Sequence, residues 1–453
     1  MTQVQDTKQR DANEEAIRFA LYSANEHGVR FIRLWFTDIL GTLKGFAITV
    51  DELEDVLRGG ASFDGASIEG LAREGESDMV AMPDPSTWQV LPWRPRENAV
   101  ARIFCDIKTA TGGPADTDNR EVLRRVMRRA NNLGFTYYVA PEIEYYHLKS
   151  SEDTRPYDAG GYFDQSSDNA GADLRRRVVI ALEEMGIPVK HSHHEVSDGQ
   201  HEIDLRHTNA LTMADSIITF KVAVKEIAAQ TGGYATFMPR PFQGSNGNGM
   251  HTHMSLFKGD SNAFHDPDAP GRLSETARQF LAGLIRHAPE ITAITNQWVN
   301  SYKRLVPGLE APVFASYTSG NMSDLVRVPT YRAGKEDSVR IEYRAPDSAC
   351  NPYLAFAAML AAGLEGIEQG YELPEPITGN PFDMTPAERK AHGVHELPLS
   401  LDSALRLADE SELLRKALGA TVMDSFIRNK SLEWSDYSQT VTDFEKSRYL
   451  RML

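Results

Sequence analysis

Cysteine is nearly absent. Cys105 and Cys350 are the only two in 453 residues, too few for a disulfide framework, and they read as buried thiols rather than a bridge or a nucleophile. No stretch approaches the roughly 20 apolar residues that a spanning helix needs, so no membrane partner is expected. The opening MTQVQDTKQRDANEEA lacks the apolar centre of a secretion signal, and a cytoplasmic location is expected. Positive charge is in the minority: 48 Lys and Arg against 64 Asp and Glu give a net charge of -16. Phosphate-backbone binding needs a basic face, so nucleic acid is not an expected partner. Short internal repeats and low-complexity tracts are missing as well.

What remains is an ordinary globular composition, 41% apolar and 25% charged, in a chain long enough for two domains. Apolar residues at near-helical spacing predict an opening helix over 14–27, followed by a strand in VRFIRLWFT and a turn at Asp38. A second strand, ARIFCDIK, leads to the turn-rich TATGGPADTDN, where Asp118 or Asn119 caps a helix. The domain boundary is placed near residue 112, giving 1–112 and 113–453. The coarse class is α+β.

The informative feature is a set of ionisable residues spaced two apart inside strand-like runs. Residues i and i+2 of a strand share a face. FTYYVAPEIEYYHL thereby pairs Glu142 with Glu144, and QHEIDLRH aligns Glu202, Asp204 and Arg206. GMHTHMSLF aligns His251, His253 and Ser255, and VRIEYRAPD aligns Arg340, Glu342 and Arg344. A single ladder of this kind is commonly a solvated edge. Four of them suggest a curved sheet around a polar cavity, where buried carboxylates require arginine or metal partners. Glutamate-dominated donors favour Mg2+ or Mn2+ over zinc. SNGNGMH can bring backbone close to a ligand or be a plain turn. NSYKRLVPGLEAP can be a mobile loop over an anion or an ordinary surface loop.

FTDILG, FDGASIEG, ESDMVAMPDPST, APEIEYY, GGYFD, HHEVSDGQHEID, TFMPRPFQGSNGNGMHTHMSL, NSYKRLVPGLEAP and IEYRAPDSACNPYLAFAAML resemble, in order, the consecutive motifs of bacterial type I glutamine synthetases and their γ-glutamyl-amine ligase relatives. The resemblance implies an N-terminal β-grasp domain and a C-terminal catalytic domain with a curved, largely antiparallel sheet forming a funnel-shaped site. It implies an ATP-dependent, ADP-forming ligase that makes a γ-amide of L-glutamate through a γ-glutamyl phosphate. Two Mg2+ or Mn2+ ions per site are implied, one on Glu144, Glu195 and Glu202, the other on Glu142, His251 and Glu342. Asn246, Gly247, Arg304 and Arg344 are implied for glutamate, and His253, Ser255, Arg327 and Arg340 for the nucleotide. Asp38, Tyr162, Glu195 and Glu310 are implied around the ammonium or amine. Asp38 would be the base, reaching in from a neighbouring subunit of a dodecamer built from two hexameric rings, and Glu310 would close the site, with Arg304 and Arg327 serving the chemistry.

Several positions depart from the family pattern. Met322 stands where an arginine is usual, Leu309 replaces an aromatic in the flap, and Ala66, Leu71, Gln297 and Trp298 differ from common residues. These changes leave ammonia and a larger primary amine, polyamine or aniline both open as nucleophile. Phe382 falls where related enzymes carry an adenylylated tyrosine and has no hydroxyl, so no such control is expected. Arg73 matches an arginine linked to glutamine feedback, or is simply a surface arginine. An oxygenase built on His251 and His253 would need a third histidine and has no use for so many arginines. A non-enzymatic relative would be expected to have lost some of the six metal ligands, and none is lost.

Overall fold

A computed structural model describes residues 2–70, 78–165, 170–318, 324–331, 334–377 and 381–453. Leu71, Arg73 and Met322 lie outside them. The opening helix runs Thr2–Glu26, longer than the apolar periodicity indicated. Six strands follow: β1 Val29–Thr37, β2 Leu43–Thr49, β3 Ala61–Asp64, β4 Asp78–Pro83, β5 Gln89–Val90 and β6 Ala99–Thr109. They form one sheet in the order β2-β1-β6-β4-β3, with β5 on β6 and the central β1–β6 pair parallel. The β-grasp expectation is met.

Period-two alternation assigns the two faces of this sheet. Ile32, Leu34 and Phe36 of β1 and Ala101, Ile103, Cys105 and Ile107 of β6 build an N-terminal core confined to residues between Ile17 and Ala115. Trp35 and Phe104 point the other way and join the main core, which extends to Phe426. Both cysteines are buried and free. The faces are also stitched by charge: Arg120, fully buried behind the sheet, binds Asp84, Asp106 and Asp215.

The larger sheet contains β7 Thr136–Leu148, β8 Val189–His194, β9 Gln200–Leu205, β10 Thr208–Asn209, β11 Tyr234–Thr236, β12 Met250–Lys258 and β13 Ser261–Asn262. After the two-residue β14 Phe314–Ala315 come β15 Tyr317–Thr318, β16 Val326–Arg327 and β17 Ile341–Tyr343. Its path is β15-β16-β17-β12-β7-β9-β8, antiparallel except at β15–β16. β10 and β11 pair with β7 and β13 with β12, while β14 pairs with β18 His395–Glu396.

Helices back this sheet. Pro352–Gln369 starts with Asn351 capping two amides and proline in the first turn. It packs on the helix Glu275–Thr295 so closely that a Cβ on Gly366 would lie 2.1 Å from Gln279 O. Glycine there is a packing requirement. Among the described residues no helix is long and apolar enough to cross a membrane.

Candidate active site

Strand register assembles the polar floor. His251 of β12 faces Glu142 of β7, and His253 of β12 faces Glu342 of β17. Glu144 of β7 faces Glu202 of β9, which in turn faces His193 of β8. Arg327 of β16 faces Glu342. Because side chains alternate, these residues emerge on one side of six adjacent strands, although they come from distant parts of the chain.

Glu142, Glu144, Glu195, Glu202, His251, Tyr162, Glu310, Arg327 and Arg344 all line one cavity of about 650 Å³. Three groups in or beside it hold donor atoms within 4.8 Å of one another: Glu142, Glu202 and His251 and also His193, Glu195 and Glu202 line the cavity, and Glu142 joins His253 and Glu342, which lie next to it. All six expected ligands therefore fall in these groups or, for Glu144, beside them, with Oε1 3.8 Å from His251 Nε2. His193 was not anticipated. Its Nε2 sits 3.0 Å from Glu202 Oε1, and its place two residues before Glu195 on a strand was the available signal. A second cavity of about 650 Å³, lined by Leu40, Lys221, Phe237 and Trp298 among others, contains none of these groups.

The electrostatics expose an unbalanced crowd. Burial, followed by Glu144, pushes Glu195 up to about 8. Burial and then Glu142, with Asp204, Glu144 and Glu195 beyond it, raise Glu202 well above the carboxylate range. Burial also acts upward on Glu142, but the imidazoles of His253 and His251 overcome it and hold that carboxyl well below its usual range. Glu342 is likewise lowered against burial by His253 and Arg344. It is fully buried, with Arg327 Nε donating to Oε2 at 2.6 Å and Arg344 Nη1 binding Oε1. Carboxylates that hold protons because they are buried and crowd one another are a donor set for hard divalent cations, and the oxygen-rich mixture with imidazole fits Mg2+ or Mn2+.

A second layer fixes the ligands. Gln200 Nε2 donates to Glu144 Oε2 at 3.1 Å and to Gly247 O at 3.0 Å, and Gly249 N donates to Glu144 Oε2 at 2.8 Å. On the opposite sheet face, Asp158 accepts from His194 Nε2 at 3.0 Å and lies 3.4 Å from His201 Nε2. Each of these histidines immediately precedes a glutamate ligand. His194 Nδ1 donates to Glu195 O at 2.6 Å, so the ring is held through both nitrogens. Its pKa is raised: burial opposes the charge, and Asp158 and the Glu195 carbonyl overcome it. The sequence HHEVSDGQHEID carried this signal in the histidine beside each glutamate, and it was missed.

The remaining expected residues divide. Arg340 Nε donates to His253 Nδ1 at 3.3 Å, and His253 Nε2 lies 2.6 Å from Glu142 Oε1. Ser255 follows on the same strand, half-buried. Asn246 Nδ2 reaches Glu310 Oε2 at 3.4 Å, linking the glycine-rich loop to the flap. Glu310 itself is exposed and sits at φ 54°, a left-handed conformation uncommon for glutamate. Gly247 has no room for a Cβ, which would meet Pro239 O at 2.4 Å and Arg304 Cγ at 2.7 Å. Arg304 is buried, donating to Ala345 O at 2.7 Å and Arg344 O at 3.1 Å, so here it braces the segment carrying Arg344. Tyr162 stands at the cavity rim against Phe163, ring centroids 4.3 Å apart. Asp38 does not line the cavity of its own chain. It is buried in the loop between β1 and β2, with Oδ1 accepting from Leu40 N at 3.0 Å and Thr42 N at 2.9 Å.

Residues 28–110 match the family described as glutamine synthetase, beta-Grasp domain, and residues 116–449 match glutamine synthetase, catalytic domain. A glutamine synthetase of Mycolicibacterium smegmatis is 53% identical over 440 residues, 96% of this chain and 99% of the relative. One from Staphylococcus epidermidis is 46% identical over 433 residues, 94% and 96% of the two chains. Among solved structures, a GmaS/ADP complex superposes with TM-score 0.86 at 32% identity, covering 95% of this chain and 99% of that one. Plasmodium falciparum glutamine synthetase gives TM-score 0.86 at 25% identity, covering 96% and 98%. The chain belongs to the glutamine synthetase family.

Proposed function

We propose that this chain joins ammonia to the γ-carboxylate of L-glutamate with ATP as the energy source. The supporting observation is the floor of buried, mutually repelling carboxylates and imidazoles flanked by Arg327, Arg344 and a flap glutamate. A carboxylate is a poor electrophile, so its γ-oxygen first takes the terminal phosphoryl group of ATP, releasing ADP. Ammonia then attacks the acyl carbon, the C–O bond to phosphate breaks, and glutamine and phosphate leave. What bound divalent cations supply is charge neutralisation on the phosphate oxygens; Glu142, Glu144, Glu195, Glu202, His251 and Glu342 would hold two of them, as Mg2+ or Mn2+.

Arg327 and Arg344 stabilise charge on the transferring phosphoryl group and orient glutamate. Asn246 and the side-chain-free Gly247 give the substrate close backbone access, with Arg304 fixing the segment that carries Arg344. His253, Ser255 and Arg340 serve the nucleotide side. Glu310 closes over the acyl phosphate and keeps water from hydrolysing it. Asp38 takes the proton from ammonium, with Tyr162 and Glu195 completing that pocket. Since Asp38 is turned away from its own funnel, a neighbouring subunit would supply it, in a ring assembly of two stacked hexamers. The functional boundary between the two domains is placed at residues 112 and 113.

Ammonia is favoured over an organic amine by the 53% and 46% identity to glutamine synthetases over nearly the whole chain. The test is glutamate-dependent ADP formation with ammonium, methylamine, ethanolamine, putrescine and aniline at matched concentrations. Turnover with ammonium well above all others is expected. Preference for an organic amine would overturn the assignment.

A further inference from the structure

Three successive carbonyls of the Asp38 loop are each met by a side-chain amide from a different part of the larger domain. Asn119 Nδ2 donates to Asp38 O at 2.6 Å, Asn351 Nδ2 to Ile39 O at 3.2 Å, and Gln297 Nε2 to Leu40 O at 2.7 Å. The three amides are 1% exposed or less. They are also tied together, because Gln297 Oε1 accepts from Asn351 N at 3.2 Å. Asn119 leaves its own Oδ1 buried without a hydrogen-bond partner among the described residues, while its amino group serves both Asp38 O and Thr37 Oγ1, the latter at 2.8 Å.

The packing is as specific as the hydrogen bonding. Gly41 sits at φ 77°, and a Cβ there would lie 2.7 Å from Asn351 Cα, so loop backbone and amide-bearing backbone are in direct contact. Gln297 and Trp298 are two of the positions that depart from the family pattern. Trp298 Nε1 donates to Ala349 O at 3.1 Å, and Asn296 Nδ2 donates to Ala345 O at 2.8 Å. The stretch that holds the Asp38 loop therefore also holds the segment braced by Arg304.

We infer that Asn119, Gln297 and Asn351 are positioning residues for Asp38, a three-point amide clamp that fixes where its carboxylate is presented. The clamp rests on the reading of Asp38 as the base that deprotonates ammonium. It acts on the amine half of the reaction and leaves phosphoryl transfer alone, since none of the three residues lines the carboxylate cavity. A loosened loop puts the carboxylate in the wrong place for part of the time, and misplacement on the order of 1 Å is costly in rate.

The experiment compares ammonium with hydroxylamine, which is uncharged at neutral pH and needs no base to become a nucleophile. Gln297→Met and Asn119→Leu are each assayed with both, alongside hydrogen exchange of the peptide covering residues 37–43. The expected result is a fall in kcat/KM for ammonium of about tenfold or more, with hydroxylamine turnover and the KM for glutamate changed less than about twofold. Exchange in the 37–43 peptide should rise by a similar factor. Equal loss with both nucleophiles would mean a merely structural role and would overturn the clamp, as would unchanged kinetics. Asp38→Asn is the control for the underlying assignment. If it shows no selective loss with ammonium, the base assignment fails, and exchange then decides the clamp alone: unchanged protection overturns it and increased protein-specific opening of the loop sustains it.

Discussion

Glu142, Glu144, Glu202 and His251 sit inside paired strands, whereas Asp38, Tyr162 and Glu310 sit on loops between elements. Both sets are expected at the same reaction, yet they are held differently. A floor residue is fixed by ladder hydrogen bonds on two sides, so its neighbours follow from register: Glu142 has His251 on one side and Asp204 on the other. A one-residue slip would turn the whole set to the opposite face. Rim residues have no such ladder. Asp38 depends on three amides donated by other segments, and Glu310 depends on a strained backbone angle and one contact of 3.4 Å to Asn246. The floor is built to hold charge in place and the rim to be placed and moved. Strain retained at a flap is consistent with a segment that changes conformation.

The comparison can be broken by splitting the reaction in two. Glu144→Ala removes a carboxylate and leaves Gln200 Nε2 and Gly249 N without their shared acceptor. Glutamate-dependent ADP formation should fall by ~10³-fold or more with every nucleophile; survival of phosphoryl transfer would remove Glu144 from the floor. Asp38→Asn should cost ~10²-fold with ammonium while ADP formation in the absence of amine stays within a few-fold. Similar losses in both halves would erase the division between floor and rim.

The smallest effect concerns pH and is confined to the floor. Glu195 is raised to about 8 from 4.5 by burial and Glu144. Its neutral form therefore contributes stability that is complete below pH 4.5 and is lost as pH rises through about 8. Without added metal, the melting temperature should decline between pH 4.5 and about 8, and Glu195→Gln should flatten part of that decline. Mn2+ should restore stability most at the alkaline end, because fewer protons then compete for the carboxylates. A decline of equal slope in the Gln variant would show that Glu195 is not the titrating group.

Much of the floor was legible from alternation. The two-residue spacing of Glu142 with Glu144 and His251 with His253 requires only that each run be a strand, and each is one. Which ladders face each other was not legible, because pairing β7 with β12 joins segments about a hundred residues apart, and nothing local encodes that choice. His193, Asp158 and Gln200 were overlooked for a related reason. His193 enters the cavity only because β8 pairs with β9, and Asp158 works from the far side of the sheet on residues distant in sequence. The helix cap was within reach of local reasoning as Asp118 or Asn119, and it is Asp118, its side chain accepting from Arg120 N. The first helix began earlier than expected because Thr2–Glu26 has a weakly apolar first half and no periodic signal to mark its start.

The sequence by itself determined the chemical inventory: four ladders of carboxylates, imidazoles and arginines, a glycine-rich loop, a flap, and the order of motifs that identifies the family. Alternation and capping are local rules, so residue order is sufficient to express them. Only the tertiary structure decided that Glu195 and Glu202 repel one another, that Glu342 is shared between Arg327 and Arg344, and that Asp38 is held by Asn119, Gln297 and Asn351 outside its own funnel. Those are consequences of which distant segments lie within a few ångströms, where burial and Coulomb interactions act and sequence separation does not count.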